Sequence, residues 1–76
     1  MNKTQLARVT AIAEQIDALA TELRELQEEA EAAYENTSDD FKESDAGDEA
    51  AEQLNSLGTA AGALETAYSE LSVFVD

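Results

Sequence analysis

The sequence predicts an all-α protein, a single antiparallel two-helix hairpin of coiled-coil type spanning residues 1–76 that could dimerise into a four-helix bundle. In both halves the apolar residues recur at alternating steps of three and four, the spacing of a helix packed on one other helix. Folding the chain at residue 40 matches Val9 with Leu71, Ile12 with Tyr68, Ile16 with Leu64, Leu19 with Ala61, Leu23 with Leu57, Leu26 with Leu54, Ala30 with Ala50 and Ala33 with Gly47. Abundant Ala, Leu, Glu and Gln and the absence of Pro favour long helices over disorder.

The first helix is predicted over about residues 3–35. Asn2 and Gln5 have the spacing of a capping box, and Thr4 is an alternative cap. Asn36 suits the left-handed position that closes many helices.

An acidic loop is predicted over about residues 36–44. Within it, Ser38 could cap a short helical turn that holds Asp39, Asp40 and Phe41. Phe41 is the one large apolar residue of the loop, so it either plugs the end of the seam or serves as a contact residue at the tip.

The second helix is predicted over about residues 45–75, beginning at Ser44 or Asp45, where acidic residues suit the amino end of a helix dipole. Its weak stretch is GTAAGA, residues 58–63, because a glycine inside a helix costs roughly 1 kcal/mol relative to alanine. That stretch indicates either close packing of the two helices around Ala61 or a shallow groove for a partner helix.

A hairpin of this size is marginally stable alone, which favours self-association or completion by a partner. A mildly apolar outer flank could pair two hairpins into a four-helix bundle. Alternatively, its alanines are simply tolerated in solvent. The flank comprises Leu6, Ala13, Ala20, Tyr34, Ala51 and Gly58.

Composition excludes several functions. Eighteen acidic and four basic residues give a net charge of −14, which repels nucleic acid and anionic membranes. Without His or Cys, the chain offers no nucleophile with a suitable base, so we expect neither an enzyme nor a cofactor. No register of the acidic segment supplies the ligands of a calcium loop, so we expect no specific metal site. The absence of a long apolar run or signal core favours a cytoplasmic protein.

The acidic residues concentrate in one part of the chain. Residues 28–52 hold eleven carboxylates and a single cation, Lys42, for a net charge of −10. This segment either keeps the protein soluble or docks on a basic surface. The docking hypothesis assigns the contacts to Glu31, Glu35, Asp39, Asp40, Phe41, Glu43 and Asp45.

The same segment, EEAEAAYENTSDDFKESDAGDEAAE, resembles small acidic proteins encoded in tailed-bacteriophage genomes. In that family an acidic helix runs into an aromatic-x-Asn-x-Pro-x-x-x-x-x-Ser-Glu-x-Gly junction, followed by a second acidic, Ala-rich helix. Ser38 stands where the family often has Pro, and Asp45 where it has Glu. The resemblance implies a phage accessory protein acting inside a bacterium, with no assigned catalytic role and no further site residues. The junction is matched by Tyr34, Asn36, Ser44, Asp45 and Gly47.

Two functional hypotheses follow from the sequence. In the first, a non-enzymatic acidic protein binds and modulates or inhibits a basic host protein of nucleic-acid handling or defence, its carboxylates replacing phosphates. In the second, the hairpin is a structural or assembly adaptor that self-associates, and the acid only confers solubility. A weaker third option is a component of a larger helical complex.

Overall fold

The structure, a computed structural model, describes residues 1–74. All regular secondary structure in that range is helical. No strand occurs in that range, so the all-α prediction is confirmed. The elements are α1 (Lys3–Glu35), α2 (Asp39–Glu43), α3 (Asp45–Leu71) and a 3-10 turn (Ser72–Phe74).

The boundaries of the helices largely match the predicted ones. α1 ends at Glu35 and α3 begins at Asp45, as the sequence indicates. Within the predicted loop lies the short helix α2, which corresponds to the helical turn expected after Ser38. α3 ends at Leu71 and passes into the 3-10 turn, and the predicted end at Val75 lies outside the described residues.

The amino end of α1 is closed by the predicted capping box. The Asn2 side chain accepts a hydrogen bond from the Gln5 amide at 2.8 Å, and the Gln5 side chain accepts one from the Asn2 amide at 3.0 Å. The prediction for the other end is wrong, because Asn36 keeps a right-handed helical backbone with φ of −84°. There the Thr37 hydroxyl donates to the Tyr34 carbonyl at 2.6 Å, so a side chain satisfies the helix end without a left-handed residue.

α1 and α3 pack side by side. Laid end to end, their 33 and 27 residues would extend about 90 Å at roughly 1.5 Å per residue, whereas the molecule measures 58 × 16 × 14 Å. The chain therefore folds back on itself. An ion pair between Arg24 and Glu65 bridges the two helices, and these contacts fit the predicted helical hairpin.

The face that α1 turns toward α3 differs from the predicted one. Ile12, Leu19 and Leu26, assigned to the seam, are 48%, 50% and 50% exposed. Ala13 and Ala20, assigned to the outer flank, are only 1% and 4% exposed. Val9, Ile16, Leu23 and Ala30 keep their predicted places, so the seam is rotated and not replaced. The covered residues of α1 are Val9, Ala13, Ile16, Ala20, Leu23, Gln27, Ala30 and Tyr34.

The predicted outer flank is consequently wrong as a free surface, because Ala13 and Ala20 are covered within the chain. Tyr34, Ala51 and Gly58 of the same flank are partly buried, and Leu6 is 36% exposed.

The reason for the rotated seam is the shape of α3. Ala61, at the middle of its packed face, is completely buried, as close packing of GTAAGA predicts. Placing the small side chains of Ala13 and Ala20 in the seam lets the helices approach closely, which improves dispersion contacts along both backbones. α1 is apolar at three heptad positions that are adjacent on the helix surface. The position of Val9 and Ile16 can therefore be combined with that of Leu19 or with that of Ala20, and both combinations have the three-four spacing. Packing against α3 selects between them.

Candidate partner-binding surface

The centre of the acidic segment is α2, a short helix between the two long ones. The Ser38 hydroxyl accepts a hydrogen bond from the Phe41 amide at 3.1 Å, which confirms Ser38 as the cap of this turn. Asp39, Asp40 and Glu43 are all exposed on α2. α2 therefore presents three carboxylates from one ordered turn.

Ser44 joins α2 to α3. Its amide donates to the Phe41 carbonyl at 3.0 Å, and its side-chain oxygen accepts from the Gly47 amide at 3.1 Å. Gly47 is buried, and a Cβ at this position would clash with the Phe41 carbonyl oxygen. The close approach fixes the angle between α2 and α3, so exposed Asp45 follows the α2 carboxylates at a defined position.

Lys42, the one cation in residues 28–52, is folded against the end of α1. Its Nζ donates to the Glu35 carbonyl at 3.2 Å and lies 5.7 Å from the centre of the Tyr34 ring. A lysine near the last carbonyls of a helix also suits the helix dipole. The Glu35 carboxylate lies 3.9 Å from the same Nζ.

This position of Lys42 leaves the acidic segment without neutralisation. Among residues 28–52, all within the described range, only Glu35 has a cation within 4.0 Å of its carboxylate. The other ten carboxylates have no ion-pair partner among residues 1–74. Their charge is therefore available to an external partner.

The predicted contact residues occupy three neighbouring places. Asp39, Asp40, Glu43 and Asp45 belong to α2 and its junction with α3. Glu31 and Glu35 instead border a shallow depression between α1 and α3, next to Tyr34, Ala51 and Asn55. The predicted residues are thus distributed over α2, its junction with α3 and the end of α1, where Lys42 of α2 contacts Glu35.

Phe41 lies at a third place. It is partly buried and borders an apolar depression of about 320 Å³ between α1 and α3. Its partial burial beside this depression is compatible with the predicted plug, and its role as a contact residue stays a prediction. The depression is further lined by Ala30, Ala33, Tyr34, Thr37, Ala50, Gln53, Leu54 and Leu57.

A second ion pair lies outside the acidic segment. The Arg24 guanidinium donates from Nε and Nη2 to the two carboxylate oxygens of Glu65, at 2.9 and 2.6 Å, and from Nη1 to Gln27 at 3.0 Å. Hydrogen bonding from Arg24 is the main cause that lowers the pKa of Glu65 below its usual value, against a smaller opposing effect of desolvation. This pair fastens α1 to α3.

Sequence reasoning missed an exposed apolar surface on α1. We call it the Leu19 stripe, comprising Ile12, Leu19 and Leu26, which share one helix face at seven-residue spacing. Leu64 of α3 borders the same depression as Leu19 and Leu26. The sequence contained a signal for this surface, since α1 is apolar at three heptad positions. A helix that packs on a single partner needs only two apolar heptad positions, so the third indicates a surface left exposed.

Two further properties concern ligands and membranes. Within residues 1–74, no three carboxylates are grouped as the ligands of a metal ion would be. None of the helices in this range combines the length and apolarity needed to cross a bilayer.

Comparisons with models of protein families, with curated proteins and with solved structures find no match to this chain.

Proposed function

We propose that this chain is an antiparallel helical hairpin that works as a non-enzymatic binding protein. Its acidic end, residues 28–52, docks on a basic protein surface that otherwise handles nucleic acid, and so modulates or inhibits the partner. By its resemblance to small acidic phage proteins, the chain is phage-encoded, and the partner belongs to nucleic-acid handling or defence in the bacterial host.

The observation that supports this proposal most directly is the placement of Lys42. A surface used only for solubility gains stability from Lys or Arg placed four residues from Glu, and this segment lacks such pairs. Its one cation is held against Tyr34 and the Glu35 carbonyl, away from the α2 carboxylates. The uncompensated charge opposes folding through self-repulsion, so its retention favours a use in binding.

The geometry of α2 adds to the argument. Ser38 and Ser44 cap both ends of the turn, and the close contact at Gly47 holds it against α3. Asp39, Asp40 and Glu43 are therefore ordered before binding, which reduces the entropy lost on docking. Carboxylates in fixed positions can replace the phosphates of a nucleic acid on a basic surface, with fast and salt-sensitive association.

The test is displacement of a labelled DNA duplex from a purified basic bacterial nucleoid protein by the full chain. The variant Asp39→Asn/Asp40→Asn/Glu43→Gln removes three charges from α2. We expect it to need about tenfold more protein for the same displacement, since about 1.4 kcal/mol is lost with the three contacts. Raising the salt concentration should weaken displacement by the parent chain.

The matched control removes three exposed carboxylates elsewhere, in Glu14→Gln/Asp17→Asn/Glu70→Gln. Both variants have the same net charge, so the control should behave like the parent if the acidic end is the docking surface. Equal losses in the two variants would point to overall charge instead. Failure of the parent to displace DNA from any of a panel of such basic proteins, or indifference to salt, would contradict the proposal.

The adaptor remains a second candidate function. The half-exposed Ile12, Leu19 and Leu26 favour it, because apolar surface at heptad spacing is typical of helix association. Under this function, neutralising α2 leaves partner binding unchanged, whereas changes in the Leu19 stripe abolish it.

A further inference from the structure

The Leu19 stripe is the main apolar surface that the helix pair leaves open. Ile12, Leu19 and Leu26 are each about half exposed, although they are large and evenly spaced along α1. Leu64 continues the apolar surface onto α3. Acidic side chains border it, namely Glu22, Glu25 and Glu29.

The stripe is symmetric about the middle of its helix. α1 runs from Lys3 to Glu35, so Leu19 is its central residue. Ile12 and Leu26 lie at equal distances on either side. A half-turn about an axis through Leu19 therefore places Ile12 of one copy on Leu26 of a second copy and superimposes the full lengths of the two α1 helices. This is the self-complementarity that a twofold interface requires.

One pair of opposite charges at the ends of the stripe fits this antiparallel arrangement. Arg8 lies beside Val9 and Ile12 near the amino end, and Glu29 lies beside Leu26 near the other end. Because the two are almost equally far from Leu19, the half-turn brings Arg8 of each copy close to Glu29 of the other. Parallel pairing would instead place two segments of net charge −10 side by side.

The size of the face is also sufficient. The broad side of the helix pair measures 58 by 16 Å, an outline of about 900 Å², so a second copy laid along its full length has room to bury the roughly 800 Å² per partner of a stable interface. Full overlap of the α1 helices is needed to use this area, and pairing about Leu19 provides it.

From this combination of symmetry, charge and area, we infer that a second copy of this chain covers the Leu19 stripe, forming an antiparallel four-helix bundle. This interface uses the face of α1 beside the one that holds Ala13 and Ala20, residues that the sequence analysis placed in the dimer interface and that α1 buries against α3. It is independent of docking by the acidic end. The dimer presents one acidic end at each extremity, so it offers two docking surfaces facing away from each other.

The sharpest test introduces single cysteines, since the natural chain has none. Leu19→Cys places the same residue on both sides of the twofold axis, so oxidation of the full-length protein should produce a disulfide-linked dimer. Asp17→Cys, on an exposed and outward part of α1, is the matched control. We expect Leu19→Cys to cross-link at least about tenfold faster, because dimerisation raises the local thiol concentration to the millimolar range.

A second pair of variants tests orientation. Leu26→Cys alone should cross-link no faster than Asp17→Cys, whereas an equimolar mixture of Ile12→Cys and Leu26→Cys should form the mixed dimer rapidly. Fast self-linking of Leu26→Cys would show parallel pairing and overturn the inference. Equal rates for Leu19→Cys and Asp17→Cys would overturn it as well.

The mass in solution provides an independent measurement. Analytical ultracentrifugation of the parent chain should give twice the monomer mass of 8.1 kDa. Leu19→Glu should give the mass of a monomer, and its helical content by circular dichroism should show that it remains folded. Asp39→Asn/Asp40→Asn/Glu43→Gln should give the mass of a dimer. A monomeric parent chain at about 100 µM, far above the Kd of a stable dimer, would overturn the inference even if DNA displacement by the acidic end succeeds.

Discussion

At the scale of single residues, Gly47 has the most constrained environment. It is buried at the start of α3, where its amide donates a hydrogen bond to the Ser44 side chain. The Phe41 carbonyl lies so close that a Cβ would not fit. The role of this glycine is the absence of a side chain, because its backbone does not adopt a positive φ. The same residue holds α2 in place and so positions the carboxylates of the acidic end.

The variant Gly47→Ala tests this role. The Cβ of the alanine would clash with the backbone of Phe41 and Lys42. Backbone atoms cannot move aside as the end of a flexible side chain can. We expect the free energy of unfolding to fall by about 2 kcal/mol, a typical consequence of overpacking. Urea denaturation followed by circular dichroism measures it. An unchanged urea midpoint would show that the junction between α2 and α3 has room for a Cβ at residue 47.

At the scale of elements, α3 contains a glycine that lowers its helix propensity and that its packing does not require. Gly62 lies in the middle of the helix, and a Cβ there would meet no atom within 4 Å, whereas at Gly58 it would approach the end of the Gln27 side chain. The two glycines of GTAAGA are thus not equivalent. Gly58 lies at a close contact with α1, and Gly62 only lowers the helix propensity of α3.

We therefore expect Gly62→Ala to raise the free energy of unfolding by about 0.5–1 kcal/mol through a lower entropy of the unfolded chain and better helix propensity. The same urea titration measures it, and Gly47→Ala serves as the comparison in which the identical substitution has the opposite sign. Destabilisation by Gly62→Ala would indicate an unrecognised contact at this position.

At the scale of the whole molecule, charge repulsion opposes folding. The chain has fourteen excess negative charges. Within residues 1–74, a rod 58 Å long, only the ion pairs Arg24–Glu65 and Lys42–Glu35 offset this charge. Both pairs involve exposed carboxylates, so solvent weakens their contribution. Repulsion consequently outweighs attraction in the net electrostatics of the folded state.

Raising sodium chloride from about 10 mM to about 500 mM should therefore stabilise the protein, because the screening length falls from roughly 30 Å to a few ångströms. We expect Tm to increase by about 5 °C, equivalent to about 1 kcal/mol in a domain of this size. Scanning calorimetry at constant protein concentration measures the change. Asp39→Asn/Asp40→Asn/Glu43→Gln should show a smaller increase, and a decrease in the parent would mean that the two ion pairs dominate.

The local features of this protein follow from its sequence because they depend on neighbours along the chain. The capping box at Asn2 and Gln5 and the caps at Ser38 and Ser44 involve partners three residues away, so spacing alone predicts them. The excess of acid in residues 28–52 is likewise a property of composition. The all-helical class follows from propensity and apolar spacing.

Tertiary packing decided which side of α1 faces α3. The sequence allows Ile12, Leu19 and Leu26 or Ala13 and Ala20 in the seam, since both sets repeat every seven residues. The choice depends on how closely the two backbones can approach around Ala61, a property of both helices together that a pattern within one helix does not contain. The same packing turned Lys42 inward and left the Leu19 stripe open, so the surfaces available for binding were settled by the contact between the helices.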